Sequence, residues 1–385
     1  MIEIANRTKS ISEYYFSKKL SEIEALNTPD FPNINLGIGN PDLMPDGNVI
    51  STLNEESLNP KNHGYQKYNS AKELRTSFSE WYKRIYNVNL NPENEILPLI
   101  GSKEGIIHTT LAYVNEGESV LVPNPGYPAY ANAAKIAGAK IIYYNLNEKN
   151  NYFPVFEEIE KSDLKNVKIM WVNYPNMPTG TAGNMELFSK LVQFGLKHKI
   201  LIVNDNAYSL ILNQNPLSIL SVPDSENIAL ELNSLSKSHN MAGWRIGVIS
   251  GNKEFIKNIL NIKSNIDSGM FLPLQLAAVK ALNLDKSWNE KVNQIYKRRR
   301  IIAESIINQL KCTFKNEQTG LFIWARIPEK IENAEKFSDE IFSKTKVFIT
   351  PGNIFGSNGD KYIRISLCAN EVTLNEAFIR IKNNY

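Results

Sequence analysis

The sequence predicts an α/β fold: a large domain with a mostly parallel seven-stranded sheet sandwiched by helices, plus a smaller α+β domain. Three observations predict it. Short apolar runs alternate with helical patterns between about residues 96 and 250. With 42% hydrophobic and 22% charged residues, the 385-residue chain can bury a large core and is not disordered. Beyond Asp285 the texture changes to one long helical pattern followed by separated strands.

The runs at 96–100, 119–122, 140–144, 168–172, 200–204, 228–232 and 247–250 read as buried strands, with helices such as 105–114 and 185–198 between them. Strands apolar along their whole length, linked by helices, imply a parallel sheet covered on both faces. Ligands on such sheets collect outside the carboxyl ends of strands. Gly101 with Ser102, then Asn173, then Asp205 each stand at such an end. Beyond residue 285, a helix over 288–310 leads to strands near 321–326 and 361–366, and an N-terminal helix over 11–26 is expected to pack with them. The large domain then spans 46–285, and the discontinuous small domain 1–45 and 286–385.

A net charge of +3 is small for this length and argues against nucleic acid as a partner. The basic run at 297–300, with Ile301, Ile302 and Ile306 behind it, reads as a solvated helix face. Cys312 and Cys368 fit a reducing compartment without a disulfide framework, and neither they nor the four scattered histidines have metal-site spacing. There is no apolar signal core at the N-terminus and no apolar run long enough to cross a bilayer, so a cytoplasmic location without a membrane partner is expected.

The most informative stretch is SLSKSHNMAGWRIG, residues 234–247. It holds Lys237, a serine three residues before it and an arginine eight residues after it, in small-residue surroundings. A lysine between serines is ordinarily a surface lysine. This one has company that suits a cofactor bearing both an aldehyde and a phosphate. Lys237 can form a Schiff base with the aldehyde, and Ser234 and Arg245 can hold the phosphate, the arginine through its planar fork. Here the chain resembles the class I/II aminotransferases, which use pyridoxal 5'-phosphate on the aspartate-aminotransferase fold. Lys237 falls on that family's Schiff-base lysine.

Further matches follow in the family's order along most of the chain. NDNAYS (204–209) places Asp205 on the carboxylate that keeps the cofactor's ring nitrogen protonated, and Tyr208 on the tyrosine that bonds the phenolic oxygen. LIGSKEG (99–105) resembles the phosphate-binding turn, with backbone N–H groups of Ser102 and Lys103 as donors at a helix start. VPNPGYPAY (122–130) places Tyr127 on the ring that stacks against the pyridine. HGYQKYNSAKELR (63–75) resembles a segment that crosses between subunits, and Tyr65 matches a tyrosine that reaches the neighbour's phosphate. Ser70 stands there in place of a frequent glycine. The resemblance thus implies a homodimer with shared active sites. INLGIGNPD (34–42) sets Gly39 near the substrate carboxylate, and KYIRISLC (361–368) places Arg364 on the arginine that clamps it.

One position departs from the pattern. In NYPNMPTG (173–180) the family carries an asparagine directly before Pro-Thr-Gly, donating to the phenolic oxygen; here it is Met177. A thioether donates no hydrogen bond. Tyr208 keeps one donor, and the adjacent Asn176 is a weaker candidate to supply another. The expectation is a raised proton affinity of the Lys237-linked cofactor and an altered reaction or substrate preference, with cofactor binding retained.

The resemblance implies amino transfer between an L-amino acid and a 2-oxo acid by a ping-pong mechanism. The same constellation serves C–S β-lyases, and a non-catalytic pyridoxal-phosphate-binding regulator is a third reading. LIGSKEG and SLSKSHNMAGW are most similar to the branch containing LL-diaminopimelate, alanine and methionine aminotransferases. Tyr14, Tyr15 and Phe16 either cover a long or apolar substrate side chain or belong to the small-domain core.

Overall fold

The computed structural model describes residues 2–9, 11 and 15–385. Its strands, in chain order, are β1 (Ile34–Asn35), β2 (Ile96–Leu99), β3 (Ser119–Asn124), β4 (Lys140–Asn145), β5 (Val167–Val172), β6 (Leu201–Asp205), β7 (Ala229–Ser234), β8 (Gly247–Gly251), β9 (Thr313–Phe314), β10 (Phe322–Arg326), β11 (Val347–Phe348), β12 (Thr350–Pro351) and β13 (Tyr362–Ser366). The seven apolar runs expected to be strands became β2 to β8, and they form one sheet in the order β2-β8-β7-β6-β5-β3-β4. All neighbours pair in parallel except β8, which runs antiparallel to both β2 and β7. The two antiparallel pairings cancel, so β2 points the same way as β7. The carboxyl ends of β2, β3, β5, β6 and β7 therefore share one edge of the sheet.

Both faces are covered, which is why β3, β6 and β7 are buried at every residue. On one face Val120, Trp171, Val203 and Leu232 pack under the helices Ser102–Tyr113, Pro128–Ile136 and Lys253–Lys263. On the other, Met170 and Ile202 meet Leu187, Leu191 and Phe194 of the helix Met185–His198. Those helix positions are four and three apart, the spacing of one apolar stripe. Asn184 starts this helix by accepting from Leu187 N (2.7 Å), and Lys199, in the left-handed region at φ 56°, ends it.

The smaller domain is built on the antiparallel sheet β12-β13-β10-β9. The parallel pair β1–β11 ties the N-terminal segment to the C-terminal third. From the helix Tyr15–Ala25, Ile23 packs with Phe342 and Phe348, and Lys19 Nζ meets Asp339 Oδ1 at 2.9 Å. Tyr14 and the side chains of Tyr15 and Phe16, expected near substrate, lie outside the described residues.

The expectation of a solvated face at 297–300 is corrected. In the helix Lys286–Gln309 the buried stripe runs Val292, Tyr296, Arg299, Ala303, Ile306, so Arg299 points inward while Lys297 and Arg298 stay exposed. Composition counts four like charges; helical period sends one of them into the core. Arg300 is also engaged, with Glu304 at 2.8 Å and the carbonyl of Gln318. Among the described residues no helix is long and apolar enough to cross a membrane.

Candidate active site

The shared carboxyl edge of the strands opens into a cavity of about 320 Å³. Lys237, Asp205, Tyr208, Tyr127, Arg245 and Arg364 all line it, as do Gly39, Ser102, Lys103 and Ser234. The topology explains the convergence. Asp205 ends β6, Ser234 ends β7, Ser102 follows β2, and Tyr127 follows β3. Two expected residues are not brought together with these. Tyr65 is 94% exposed and does not line this chain's cavity. Asn176 is folded into its own turn, where Oδ1 accepts from Thr179 Oγ1 (2.7 Å) and Thr179 N (3.3 Å), and it does not line the cavity. The turn's own hydrogen bonds hold its amide oxygen, while Nδ2, the group that would donate, is buried without a partner.

Lys237 rides on a one-turn helix, Leu235–Ser238, directly after β7. Its Nζ donates to Gly39 O at 2.5 Å. Burial, helped by the nearby Arg364 and Arg245, holds the amine below the usual lysine range against the opposing pull of Cys368 and Asp205. A lysine that gives up its proton more readily is a better nucleophile and base.

Asp205 is 5% exposed. Its Oδ2 accepts from Tyr130 Oη at 2.9 Å, and Asn173 Nδ2 donates to its backbone oxygen at 2.5 Å. Burial pushes its pKa up to about 6, opposed by the Tyr130 bond, the Ala207 N–H and the Lys237 charge. Oδ1 is buried without a partner. An orphaned carboxylate oxygen on a cavity wall is a costly group unless a ligand meets it. A protonated heterocyclic nitrogen is such a ligand.

An anion cradle lies between β2 and β8. No side chain caps the helix Ser102–Tyr113, so the partial positive charge of its first turn faces the cavity. Gly101 adopts φ +79°, a region that favours glycine, and a Cβ there would fall 2.1 Å from Arg245 Nη2. A Cβ on Gly247 would fall 2.6 Å from Ser102 N. Both glycines keep open the approach of turn, arginine and ligand. Arg245 Nη1 donates to Ala242 O (2.8 Å) and reaches Ser236 Oγ (3.5 Å). Ser234 Oγ accepts from Ser236 N at 3.1 Å, as an N-cap. Sequence reading missed Ser236, although the alternating serines of SLSKS placed it in plain view.

Arg364, 4% exposed, lies between two rings, 3.8 Å from the Phe322 centroid and 4.5 Å from that of Phe355. Its Nη2 donates to Gly37 O at 2.7 Å, and its Nη1 lies 3.2 Å from Met177 Sδ. Met177 is 5% exposed and lines the cavity, at the place where the sequence departs from the family pattern. Phe322 and Phe355 carried no motif signal, and Tyr130 closed the motif VPNPGYPAY without a role of its own; each is recognisable only once the fold brings its segment to the site.

An amine beyond the end of a sheet strand, across from a buried carboxylate and beside an anion cradle, defines a pyridoxal-phosphate enzyme. The residues present fit that cofactor, the unpartnered oxygen of Asp205 above all. The sequence model for "Aminotransferase class I and II" matches residues 32–381, and the chain belongs to that family. It is a pyridoxal-phosphate-dependent transaminase acting on an amino acid and a 2-oxo acid. Its relatives include proteins named LL-diaminopimelate aminotransferase from Aquifex aeolicus (38% identical, covering 100% of this chain and 99% of that one) and Halothermothrix orenii (36%, 100% and 99%). Among solved structures, substrate-bound BacF from Bacillus subtilis superposes with a TM-score of 0.94 at 35% identity, covering 100% of this chain and 98% of that one. An aspartate aminotransferase variant from Thermus thermophilus shares the fold, with a TM-score of 0.92 at 20% identity over 100% of each chain. The transaminase reading thus stands over those of a β-lyase or a regulator.

Proposed function

We propose that Lys237 is the catalytic lysine of this transaminase and that LL-diaminopimelate is its amino donor. One observation carries the first part: Lys237, Asp205, which has one unpartnered oxygen, and Arg364 line a single cavity. Pyridoxal phosphate, when bound, supplies an aldehyde that condenses with amines and a ring that accepts electrons from the substrate's Cα. Lys237 would hold it covalently. Asp205 would face its ring nitrogen, Tyr127 its ring plane and Tyr208 its phenolic oxygen. Ser102, Lys103, Ser234 and Arg245 would hold its phosphate. The Arg364 fork binds the substrate's carboxylate, with Gly39 beside it. Lys237, once its amine is free, would take the proton from the substrate's Cα at Nζ and deliver it to the cofactor's former aldehyde carbon, as base and then acid. The 2-oxo acid product leaves before the second oxo acid binds, which gives ping-pong kinetics.

The donor rests on the names of the relatives; Arg364 would hold the α-carboxylate of any amino acid. Tyr65, Tyr68, Met44 and Leu58 are exposed, as is Phe271 beside His63, and on this reading a second copy would cover them. This reading makes the protein a homodimer in which Tyr65 completes the neighbour's site, located in the cytoplasm, with the domain division at 46 and 285. Borohydride reduction followed by peptide mapping tests the lysine: the expected tag is on Lys237, and a tag elsewhere rejects the assignment. Half-reaction spectroscopy with LL-diaminopimelate, methionine, alanine and phenylalanine tests the donor. A faster reaction with any of the last three overturns the diaminopimelate assignment and leaves transamination intact. Sedimentation at twice the 43.6 kDa chain mass is expected for the dimer.

A further inference from the structure

The segment between β1 and the helix Gly47–Ser57 links the small-domain sheet to the large domain. Its backbone receives two of the site's cationic side chains, Arg364 and Lys237. Gly37 O accepts from Arg364 Nη2 (2.7 Å), and two residues on Gly39 O accepts from Lys237 Nζ (2.5 Å). Further along, the Asp42 carboxylate meets the Arg299 guanidinium on both prongs, Oδ1 to Nη1 at 2.6 Å and Oδ2 to Nη2 at 2.8 Å. Arg299 Nη1 also donates to Leu367 O (3.1 Å), and the guanidinium lies 5.6 Å from the Tyr296 ring.

A charge in this place needs a reason. The other inward positions of that helix face are Val292, Tyr296, Ala303 and Ile306. An apolar side chain at 299 would pack among them without the desolvation that a buried guanidinium suffers. A two-pronged ion pair differs from apolar packing in one respect: it fixes both distance and orientation. What it fixes here is the strap bearing the carbonyl on which Lys237 hangs.

We propose that Asp42 and Arg299 are positioning residues of the transamination reaction. Their ion pair holds the strap so that Gly39 O keeps the released Lys237 amine within reach of the substrate's Cα. The neutral amine uses its lone pair to take the Cα proton, while one of its own N–H bonds stays on Gly39 O. The clamp for the substrate carboxylate hangs on the same strap at Gly37, so the two ends of the reacting centre share one anchor. This rests on Lys237 being the catalytic lysine.

The test uses Asp42→Asn, which keeps shape and removes charge, with Asp42→Glu as the conservative rescue. Arg298→Gln, an exposed neighbour paired with Glu371, is the control. In the full-length holoenzyme, Asp42→Asn is expected to lower kcat tenfold or more and raise the isotope effect with Cα-deuterated amino acid, while KM changes less than threefold. In the cofactor-free full chain, trace labelling with acetic anhydride read by peptide mass should modify Lys237 at least threefold faster, because Nζ has lost its fixed acceptor. Asp42→Glu should recover most of both effects, and Arg298→Gln should show neither. If Asp42→Asn does not fold, Arg299→Lys, which keeps the charge and loses the fork, carries the same expectations. A fall in melting temperature with unchanged isotope effect and unchanged labelling overturns the proposal, and leaves the Lys237 assignment standing. A borohydride tag on another lysine would instead remove the assignment beneath it.

Discussion

Tyr130 Oη donates to Asp205 Oδ2 at 2.9 Å, while the second oxygen of the same carboxylate has no partner. The tyrosine is held flat against Trp171, 5.1 Å away and 5° from parallel, so it aims Asp205 with little freedom. One oxygen is thus fixed by the protein and the other is left for a ligand.

That arrangement makes Asp205 a liability to the empty protein. Its folded pKa of about 6 lies above the 3.8 of an unperturbed aspartate, so the native state holds the proton to higher pH than the unfolded chain. There is no ionisation penalty below about pH 4; the penalty grows as pH rises to about 6 and is then constant. Two pH units correspond to about 3 kcal/mol. Asp205→Asn should therefore stabilise the cofactor-free protein by about 2–3 kcal/mol at pH 8 and by almost nothing at pH 4. Urea unfolding of both proteins at the two pH values measures this. The same variant should lose at least about a hundredfold in kcat, since about 3 kcal/mol at the transition state is roughly two decades. Equal stability gains at both pH values would contradict the linkage.

Arg364 combines a fork with two ring faces, at 3.8 and 4.5 Å. Arg364→Lys keeps the charge but loses the paired geometry. Losing one charge-assisted hydrogen bond costs about 1.5–3 kcal/mol, which is a drop of about 10- to 100-fold in kcat/KM for the amino acid. Cofactor affinity, read by absorbance titration, should change less than twofold. An equal loss of cofactor affinity would place the arginine at the phosphate instead.

Much of this architecture is legible in the residues, for physical reasons that differ by element. Apolar runs such as 119–122 announce doubly covered strands because both of their faces must be buried. Lys237, Asp205 and Arg245 stand out because their chemistry depends on residue type. Arg299 does not: its partner Asp42 is 257 positions away, and a run of four cations gives no hint of which one turns inward. Phe322 and Phe355 are ordinary apolar residues until the small domain stacks them on Arg364. Asn176 and Met177 are neighbours of similar size, and only the turn closed by Thr179 decides which of them meets the cavity.

Gly101 offers a test of the anion cradle. A Cβ there would sit 2.1 Å from Arg245 Nη2, at a φ of +79°. Gly101→Ala should weaken pyridoxal-phosphate binding at least fivefold, because Arg245 must swing off the phosphate. Backbone strain of about 1–2 kcal/mol comes with it. Gly117→Ala is the matched control, since its φ is +82° and nothing lies within 4 Å of the added carbon. The control should lose stability and keep cofactor affinity. Equal affinity loss in both variants would mean that strain alone, and not Arg245, is responsible.

Met177 stands where the resemblance implies an asparagine, and its surroundings show what a thioether does there. The side chain is buried on the cavity wall with Sδ 3.2 Å from Arg364 Nη1, so the thioether serves as a weak acceptor for the clamp. It has no hydrogen to give to an anionic oxygen. A donor at this position would stabilise the deprotonated form of the bound cofactor and lower the pH at which its shared proton is lost. A charge-assisted bond of about 1.5–3 kcal/mol corresponds to about one to two pH units. Met177→Asn should therefore move the absorbance–pH midpoint of the substrate-free holoenzyme down by about that amount, and Met177→Leu, which also lacks a donor, should leave it in place. The asparagine variant should also hold Arg364 Nη1 more firmly through its amide oxygen, which raises KM for the amino acid. Coincident titration curves for wild type and Met177→Asn would show that the lost donor has been replaced by another group, and Tyr208, on the same cavity wall, is the residue to change next.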